Sequence, residues 1–344
     1  MNITSNTFTI DNTVFQISTE KTNNLTIRSH PTNYDVVFEE FVNTFSDKQV
    51  VLVDKKVREL YGITHTKLIE VEAIEENKCM DTVLHVCEQL LEYDFDRGHT
   101  LVVIGGGILQ DIGAYVAKTF KRGIDWIYIP TTLLSQCDSC IGGKTALNFK
   151  KYKNQLALFS APTKVIVDVS FLDTLEQRDI LSGYGEIVKL FLIGGEFYVN
   201  NFDKFDINHL IFHSLSIKKS VVEKDEFELH ERKSLNYGHS FGHAIESVTD
   251  YKISHGEGVL LGIEIINRLF TNSPTISNLV KRFSDFSKLV EIDVDKLMKS
   301  IQTDKKITNG IITFVVVTDV GKTTFVKQEV NHTMRNQIYA LLIG

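Results

Sequence analysis

Four short apolar runs in the first half of the chain restrict its fold more than any other feature. They read KQVVLV at 48–53, LVVI at 101–104, WIYI at 126–129 and KVIVD at 164–168. Strands that are apolar on both faces are typical of parallel sheets covered by helices on both sides. The segment 80–93, between two of these runs, repeats apolar residues with helical periodicity. This alternation predicts an α/β domain with a parallel sheet.

Beyond about residue 173 the apolar pattern is that of helices. It predicts helices over 180–193, 207–225, 237–249 and 258–270, followed by a pair of strands over 310–317 and 323–326. A chain of 344 residues is long enough for two domains. We therefore expect an α/β domain over residues 1–172 and a mostly α-helical domain over residues 173–344. The Asn- and Thr-rich stretch that ends at residue 27 predicts edge strands.

Composition excludes several classes of protein. The net charge of −7 argues against binding to nucleic acid, although a local basic pocket for an anionic small molecule is compatible with it. No apolar run approaches the length of a membrane span and no signal peptide pattern opens the chain, so we expect a cytoplasmic protein without a membrane partner. Four cysteines are too few for a disulfide scaffold. The pair CDSC at 137–140 has the spacing of a redox pair or half a zinc site, but structural or incidental thiols are the favoured interpretation.

Polar and glycine residues follow several predicted strands. The strand at 101–104 runs into Gly105, Gly106 and Gly107 before a predicted helix over 108–120. Such a turn lets the backbone and the free N–H groups of a helix approach a pyrophosphate, and it is equally compatible with a tight turn that only packs. Asp54 ends the first strand, where dinucleotide-binding folds use a carboxylate to bind a ribose hydroxyl. The hydroxyls of Thr131 and Thr132 follow the third strand.

The stretch DSCIGGKT at 138–145 combines glycines, a lysine and hydroxyls, which suit a phosphorylated substrate. It is not a P-loop, because Asp138 occupies the position that the first glycine of that motif requires. ATP hydrolysis therefore has little support.

Two further patterns indicate a metal. His239 and His243 are spaced i, i+4 on one predicted helix, and His255 follows after a short break. Imidazole is a common zinc ligand, although such a pair also occurs as ordinary surface or core histidines. Glu186 and Lys189 share a helix face, either as a salt pair or as a metal-ligand carboxylate beside a substrate-binding lysine.

The order of the motifs carries a family resemblance. Between about residues 75 and 320 the chain reads GGGILQD, FKRG, IPTTLLSQCDS, IGGKTALN, GEIVK, KDE, and NYGHSFGHAIE with HGE. In this order and spacing the chain resembles the dehydroquinate synthase family of sugar phosphate cyclases. The resemblance implies an N-terminal dinucleotide-binding domain and a helical C-terminal domain that binds metal and substrate. It also implies one divalent metal, zinc or cobalt, held by Glu186, His239 and His255, with His243 handling protons beside the metal instead of binding it.

The resemblance implies the remaining site residues as well. NAD would be bound by Asp54, Glu75, Lys78, Gly106, Gly107, Asp111, Thr131, Thr132 and Thr174, with Lys153 at the junction of nucleotide and substrate. Catalytic roles would fall to Lys144, Lys189, Lys218, Arg232, Asn236 and His243, and substrate contacts to Asp138, Asn154 and one of Lys305 and Lys306. Arg122 would reach the phosphate of the substrate in a neighbouring subunit, so the resemblance implies a homodimer.

Several positions depart from the usual family pattern. They are Ile74, the pair Tyr184 and Gly185 before the metal-ligand glutamate, Gln155 and Glu176. None of them removes a catalytic group, but they indicate a divergent branch whose substrate is open. The expected reaction converts a 3-deoxy-heptulosonate 7-phosphate, a small phosphorylated sugar acid, into a carbocycle with loss of phosphate and transient oxidation by NAD. Another sugar phosphate cyclase, a metal- and NAD-dependent polyol dehydrogenase, and an inactive scaffold of the same fold are the alternatives.

Overall fold

The chain divides into two compact units. A computed structural model describes residues 5–150, 152–302 and 310–343. One unit comprises residues 22–176, and the other comprises residues 1–21 together with residues 177–344. This division differs from the predicted boundary between residues 172 and 173, chiefly because the first residues of the chain belong to the second unit.

Strands and helices alternate through the first half of the chain, and helices dominate the second. The strands are β1 (Ser5–Ile10), β2 (Thr13–Ser18), β3 (Asn24–Ile27), β4 (Tyr34–Phe38), β5 (Gln49–Asp54), β6 (Leu68–Val71), β7 (Thr100–Gly105), β8 (Asp125–Pro130), β9 (Lys144–Phe149), β10 (Tyr152–Phe159), β11 (Lys164–Val167), β12 (Ile311–Asp319) and β13 (Lys322–Glu329). The helices are α1 (Lys55–Tyr61), α2 (Met80–Glu92), α3 (Gly107–Thr119), α4 (Gln177–Gly194), α5 (Glu196–Asn200), α6 (Ile207–Lys224), α7 (His239–Val248), α8 (His255–Phe270), α9 (Pro274–Val280), α10 (Val294–Gln302) and α11 (His332–Ile343). Within the described ranges no helix is long and apolar enough to cross a membrane.

The unit of residues 22–176 is built on a seven-stranded sheet in the order β3-β4-β11-β8-β7-β5-β6. All neighbours pair in parallel except β3 and β4, which are antiparallel. The predicted parallel α/β domain is therefore confirmed. Helix α3 lies very close to β7, since a Cβ atom on Gly113 would stand 2.5 Å from Val103 Cγ2.

The second unit combines the later helices with a four-stranded sheet in the order β12-β13-β1-β2. Strand β1 pairs in parallel with β13, with Thr9 opposite Lys322, and Thr9 N–H donates to Gly321 O at 2.8 Å. These backbone bonds explain why residues 1–21 belong to this unit. The sequence indicated the strands themselves, but it carried no signal for a partner more than three hundred residues away.

Glycines bring three helices of this unit into backbone contact. A Cβ atom on Gly185 of α4 would stand 2.3 Å from Gly256 O in α8, and one on Gly256 would stand 1.8 Å from Ser182 O. On the other side of α8, a Cβ atom on Gly262 would stand 2.1 Å from Gly238 O, just before α7. Helix α8 therefore packs directly on both α4 and α7, which brings residues of all three helices together.

Candidate active site

A carboxylate and two imidazoles converge where α4, α7 and α8 meet. Glu186 Oε1 lies 3.2 Å from His255 Nε2 and 3.5 Å from His239 Nε2. The donor atoms of the three residues all lie within 4.8 Å of one another. His239 and His255 are the first residues of α7 and α8, and Glu186 is buried in the middle of α4. Helix α8 thus begins three residues before its predicted start at residue 258, because Gly256 and Gly258 are helix-contact positions and do not interrupt it.

The other ring nitrogen of each histidine has its own partner. His239 Nδ1 lies 3.1 Å from Tyr237 O, and His255 Nδ1 lies 3.0 Å from Glu246 Oε1. A histidine that donates from Nδ1 keeps its Nε2 lone pair for a metal. One carboxylate and two imidazoles facing a common point form a ligand set that suits zinc or cobalt and leaves a coordination position for substrate. The residues therefore fit a divalent metal.

The local charges also favour a cation. Burial alone would lower the pKa of His255, but the hydrogen bonds and charges of Glu186 and Glu246 raise it to about 10. Burial alone would raise the pKa of Glu186, and the charge of Lys189 together with His255 instead lowers it. Glu186 is therefore held as a carboxylate.

Lys189 lies one turn after Glu186 and is only 2% exposed. Its Nζ pairs with Glu186 Oε2, so the salt pair considered from the sequence is present, directly beside the histidines. Helix α4 also packs against α6, where Lys218 is buried. Arg232 is buried in the short helix Glu231–Asn236, which contacts both α4 and α6.

The segment that carries Arg232 is ordered by Asp225. The Asp225 carboxylate accepts N–H bonds from Leu229 at 2.9 Å, His230 at 2.7 Å and Arg232 at 3.0 Å. Burial opposes the charge of Asp225, but these backbone bonds lower its pKa. Asn236 Nδ2 donates to Glu228 Oε1 at 2.7 Å in the same segment.

His243 stands apart from the Glu186 cluster. Its ring is exposed, with its centroid 5.3 Å from that of His239 and 5.8 Å from that of His255. Its donor atoms group with those of Glu246 and His255, not with Glu186. Of the i, i+4 histidine pair, only His239 thus belongs to the Glu186 cluster.

In the unit of residues 22–176, the implied nucleotide residues follow the strands. Asp54 Oδ1 accepts N–H bonds from Lys56 at 3.3 Å and from Ala73 at 3.4 Å, and burial raises its pKa. Gly106 and Gly107 open α3, and a Cβ atom on Gly106 would stand 2.9 Å from Thr132 Cγ2. Thr131 follows β8 and is buried. These groups lie at the carboxyl ends of β5, β7 and β8, which is the usual ligand edge of such sheets.

A polar network links the hairpin of β9 and β10 to the rest of this unit. Lys78 Nζ lies 2.5 Å from Asp111 Oδ2 and donates to Asn154 Oδ1 at 2.8 Å. Asn148 Nδ2 donates to Glu75 Oε1 at 2.8 Å, and Asn148 Oδ1 accepts from Asn154 N–H at 3.0 Å. Five implied residues therefore meet here: Glu75, Lys78, Asp111, Asn154 and Lys153, whose Nζ lies 3.4 Å from Glu75 Oε1.

Comparison with known proteins identifies the family. The 3-dehydroquinate synthase N-terminal family model matches residues 68–182, and the 3-dehydroquinate synthase C-terminal model matches residues 183–307. The chain belongs to the 3-dehydroquinate synthase family. It is 37% identical over 298 residues to the 3-dehydroquinate synthase of Acetivibrio thermocellus, covering 81% of this chain and 78% of that one. It is 32% identical over 356 residues to that of Streptococcus pyogenes serotype M49, covering 92% and 99%.

A solved structure shares the fold. The crystal structure of 2-deoxy-scyllo-inosose synthase complexed with carbaglucose-6-phosphate, NAD+ and Co2+ matches with a TM-score of 0.78 and 22% identity, covering 92% of this chain and 99% of that one. Membership of the 3-dehydroquinate synthase family makes this chain a lyase-type enzyme.

Most of the remaining implied residues of this 3-dehydroquinate synthase family member lie in turns and short helical segments between the strands. Thr174 Oγ1 is 2.8 Å from Tyr61 Oη, Lys144 is exposed at the start of β9, and Asp138 is half-buried in the segment Ser135–Ser139. Arg122 is exposed in a turn. Lys305 and Lys306 lie outside the described residues. Cys137 and Cys140 are buried free thiols.

Two residues with clear contacts were missed by the sequence analysis. Glu246 contacts His255, and Asn148 joins Glu75 to Asn154. Both stand inside family motifs, NYGHSFGHAIE and IGGKTALN. The i, i+7 spacing of His239 and Glu246 on one helix was the available signal for the first.

Proposed function

We propose that this enzyme is a 3-dehydroquinate synthase, which converts a 3-deoxy-heptulosonate 7-phosphate into a carbocycle with elimination of phosphate. The observation that carries the proposal is the Glu186, His239 and His255 cluster with the buried ammonium of Lys189 beside it. The match to 3-dehydroquinate synthases over most of the chain supports the same reaction.

Glu186, His239 and His255 would hold one divalent metal, zinc or cobalt. When bound, the metal acts as a Lewis acid that lowers the pKa of a substrate hydroxyl. Glu186 would contribute the negative charge that the ion requires, and it stays ionised because its pKa is lowered. His243, exposed beside His239 and His255, would exchange protons with the bound substrate.

The carboxyl edge of the parallel sheet would hold NAD. When bound, NAD supplies a hydride acceptor that is regenerated in the same turnover. Gly106 and Gly107 would let the pyrophosphate approach the N–H groups at the start of α3. Asp54 would accept hydrogen bonds from ribose hydroxyls. The network of Lys78, Asp111 and Asn154 would hold the hairpin that carries Lys153 and Lys144.

Buried cations distinguish this proposal from a polyol dehydrogenase. Lys189, Lys218 and Arg232 are 2%, 7% and 2% exposed within one unit. A neutral polyol does not need three buried cations, whereas a phosphate dianion and a carboxylate do. The retained GGK motif and the set of Lys218, Arg232 and Asn236 favour a carboxylate-bearing heptulosonate over neutral sugar phosphates.

Arg122 would complete the site of a neighbouring subunit in a homodimer. It is exposed, and its backbone has a φ of +68°, in the left-handed region that residues other than glycine rarely adopt. The turn directs the chain into β8 within the unit of residues 22–176. The guanidinium fork of Arg122 suits a phosphate dianion.

Phosphate release from a panel of substrates tests the function. The panel contains a 3-deoxy-heptulosonate 7-phosphate, a heptulose 7-phosphate without the carboxylate, and a hexose 6-phosphate. We expect release from the first alone, with NAD required but not consumed. Release from a neutral sugar phosphate would identify another cyclase, and NADH formed in proportion to turnover would identify a polyol dehydrogenase.

A further inference from the structure

Glu246 contacts the proposed metal ligand His255 on the edge of the ring that faces away from Glu186. Glu246 Oε1 lies 3.0 Å from His255 Nδ1, while His255 Nε2 lies 3.2 Å from Glu186 Oε1. The two nitrogens of an imidazole have distinct roles, so a partner on one decides which lone pair the other presents. The same contact also limits rotation of the ring.

The contact is built into the packing of two helices. His239 and Glu246 are seven residues apart on α7, so they lie on one face, two turns from each other. Glu246 reaches α8 over Gly258, where an added Cβ atom would stand 3.3 Å from Glu246 Cγ. The Glu246 side chain is 12% exposed. A larger residue at position 258 would obstruct its path to His255.

His255 needs this partner more than His239 does. The side chain of His255 is 33% exposed and that of His239 is 12% exposed, so the protein encloses the first ring less. The partner of His239 Nδ1 at 3.1 Å is a neutral carbonyl oxygen, that of Tyr237. A carboxylate partner both orients an imidazole and raises its basicity as a ligand, which strengthens metal binding.

We propose that Glu246 is a positioning residue of the metal site, which accepts the Nδ1–H bond of His255 and so directs Nε2 to the metal. The inference rests on the metal ligands of the proposed function. A competing role is open to the same residue, because donor atoms of His243, Glu246 and His255 also lie within 4.8 Å of one another. In that role Glu246 would itself bind the metal, and the test separates the two.

The experiment measures Co2+ affinity by competition with a chromophoric chelator in the wild type, Glu246→Ala and Glu246→Gln, together with the visible spectrum of the Co2+ proteins. Glu246→Ala should bind Co2+ about 10- to 100-fold more weakly. The Co2+ affinity of Glu246→Gln should lie between those of the wild type and Glu246→Ala, because the amide oxygen accepts the bond without carrying the charge. The spectrum at saturation should keep its band positions and intensity.

Glu257→Gln is the matched control. Glu257 is also a partly buried glutamate, in the first turn of α8, but it pairs with Lys288 at 2.5 Å. Its loss should leave Co2+ affinity within about twofold of the wild type. The Gln variant also covers the case in which Glu246→Ala does not fold, because its shape is nearly that of the native residue.

Two results would overturn the inference. Wild-type Co2+ affinity in both Glu246→Ala and Glu246→Gln would remove the positioning role, and a spectrum with a changed coordination number would make Glu246 a ligand. His255→Ala separates this from the proposed function. If His255→Ala also binds Co2+ normally, the ligand set is wrong. If only His255→Ala loses the metal, the ligand set stands and the role of Glu246 fails.

Discussion

Gly185 and Gly256 lie so close that a Cβ atom on Gly185 would stand 2.3 Å from Gly256 O. Gly185 precedes the proposed ligand Glu186, and Gly256 follows the proposed ligand His255. The distance between the α4 and α8 backbones therefore sets the distance between the two ligands. The departure at Gly185 noted in the sequence coincides with this contact.

We expect Gly185→Ala to destabilise the protein by about 1 to 3 kcal/mol, since the new methyl meets backbone and not a movable side chain. The variant should also lose metal affinity, because α4 and α8 must separate. Thermal unfolding and Co2+ titration measure the two effects. Gly98→Ala, in an exposed turn, is the control and should change stability by less than about 0.5 kcal/mol. Equal stability of Gly185→Ala and wild type would show that the helices adjust freely.

Metal content after His255→Ala and His243→Ala tests the ligand set. His255 belongs to the Glu186 cluster, whereas His243 is exposed beside it. His255→Ala should therefore abolish stoichiometric binding of zinc or cobalt, and His243→Ala should retain one ion per subunit while it lowers activity. Elemental analysis after gel filtration gives both numbers. Full occupancy in the His255→Ala protein would contradict the assignment.

Adjacent lysines on α6 offer a matched pair for the buried cations. Lys218 is 7% exposed, while Lys219 pairs with Glu223 at 2.9 Å on the same helix. If Lys218 binds the anionic substrate, Lys218→Met should lower kcat/KM for phosphate release by about 100-fold or more. Lys219→Met should stay within about twofold of wild type. Similar losses in the two variants would point to a general effect of charge on α6.

Buried His213 predicts how stability depends on pH. It is surrounded by aromatic rings, including Phe205 at a centroid distance of 4.7 Å, and burial lowers its pKa from 6.5 to about 4. In the unfolded chain the imidazole of His213 binds a proton below about pH 6.5, whereas in the folded chain it does so only near pH 4. Stability should therefore be full above pH 6.5 and fall as the pH drops towards 4. His213→Phe should reduce this slope in urea unfolding, and an unchanged slope would assign it to other groups.

The sequence predicted elements better than it predicted their partners. Runs such as 101–104 and the helical pattern of α6 indicated strands and helices, because apolar periodicity is a local property. The pairing of Thr9 with Lys322 is not local, so the sequence assigned residues 1–21 to the first domain, whereas in the structure they group with residues 177–344. Likewise, the glycines at 256 and 258 led to a predicted helix start at 258. Their close contacts are with α4 and α7, which the local sequence does not show.

The site shows the same limit. The family motifs led to Glu186, His239 and His255, which the fold brings together. Glu246 and Asn148 did not stand out, since each contacts a residue on a different element, His255 and Glu75. A single sequence shows which groups can carry chemistry, while the groups that orient them become visible only with the packing.

The proposed role of Arg122 predicts that two inactive variants restore each other. Arg122 lies in the unit of residues 22–176, in an exposed turn with a φ of +68°, and Lys189 lies in the other unit, beside Glu186. If Arg122 serves the neighbouring subunit's substrate, Arg122→Ala should weaken substrate use and leave NAD and metal binding intact. In a hybrid of Arg122→Ala and Lys189→Ala chains, the site on the Arg122→Ala chain keeps its own native Lys189. It also receives the native Arg122 of the other chain. That site is complete, while the second site lacks both groups.

Co-expression of the two chains with different affinity tags, followed by tandem purification, isolates the hybrid. It should recover up to half of the wild-type activity per dimer, whereas each parent variant stays low. Lys121→Ala is the control for the turn, since Lys121 Nζ donates to Phe95 O within its own subunit. A hybrid of Lys121→Ala and Lys189→Ala chains should not be more active than the Lys121→Ala parent. If purified hybrids contain both chains and release no phosphate, the shared site is wrong and Arg122 acts within its own subunit or not at all.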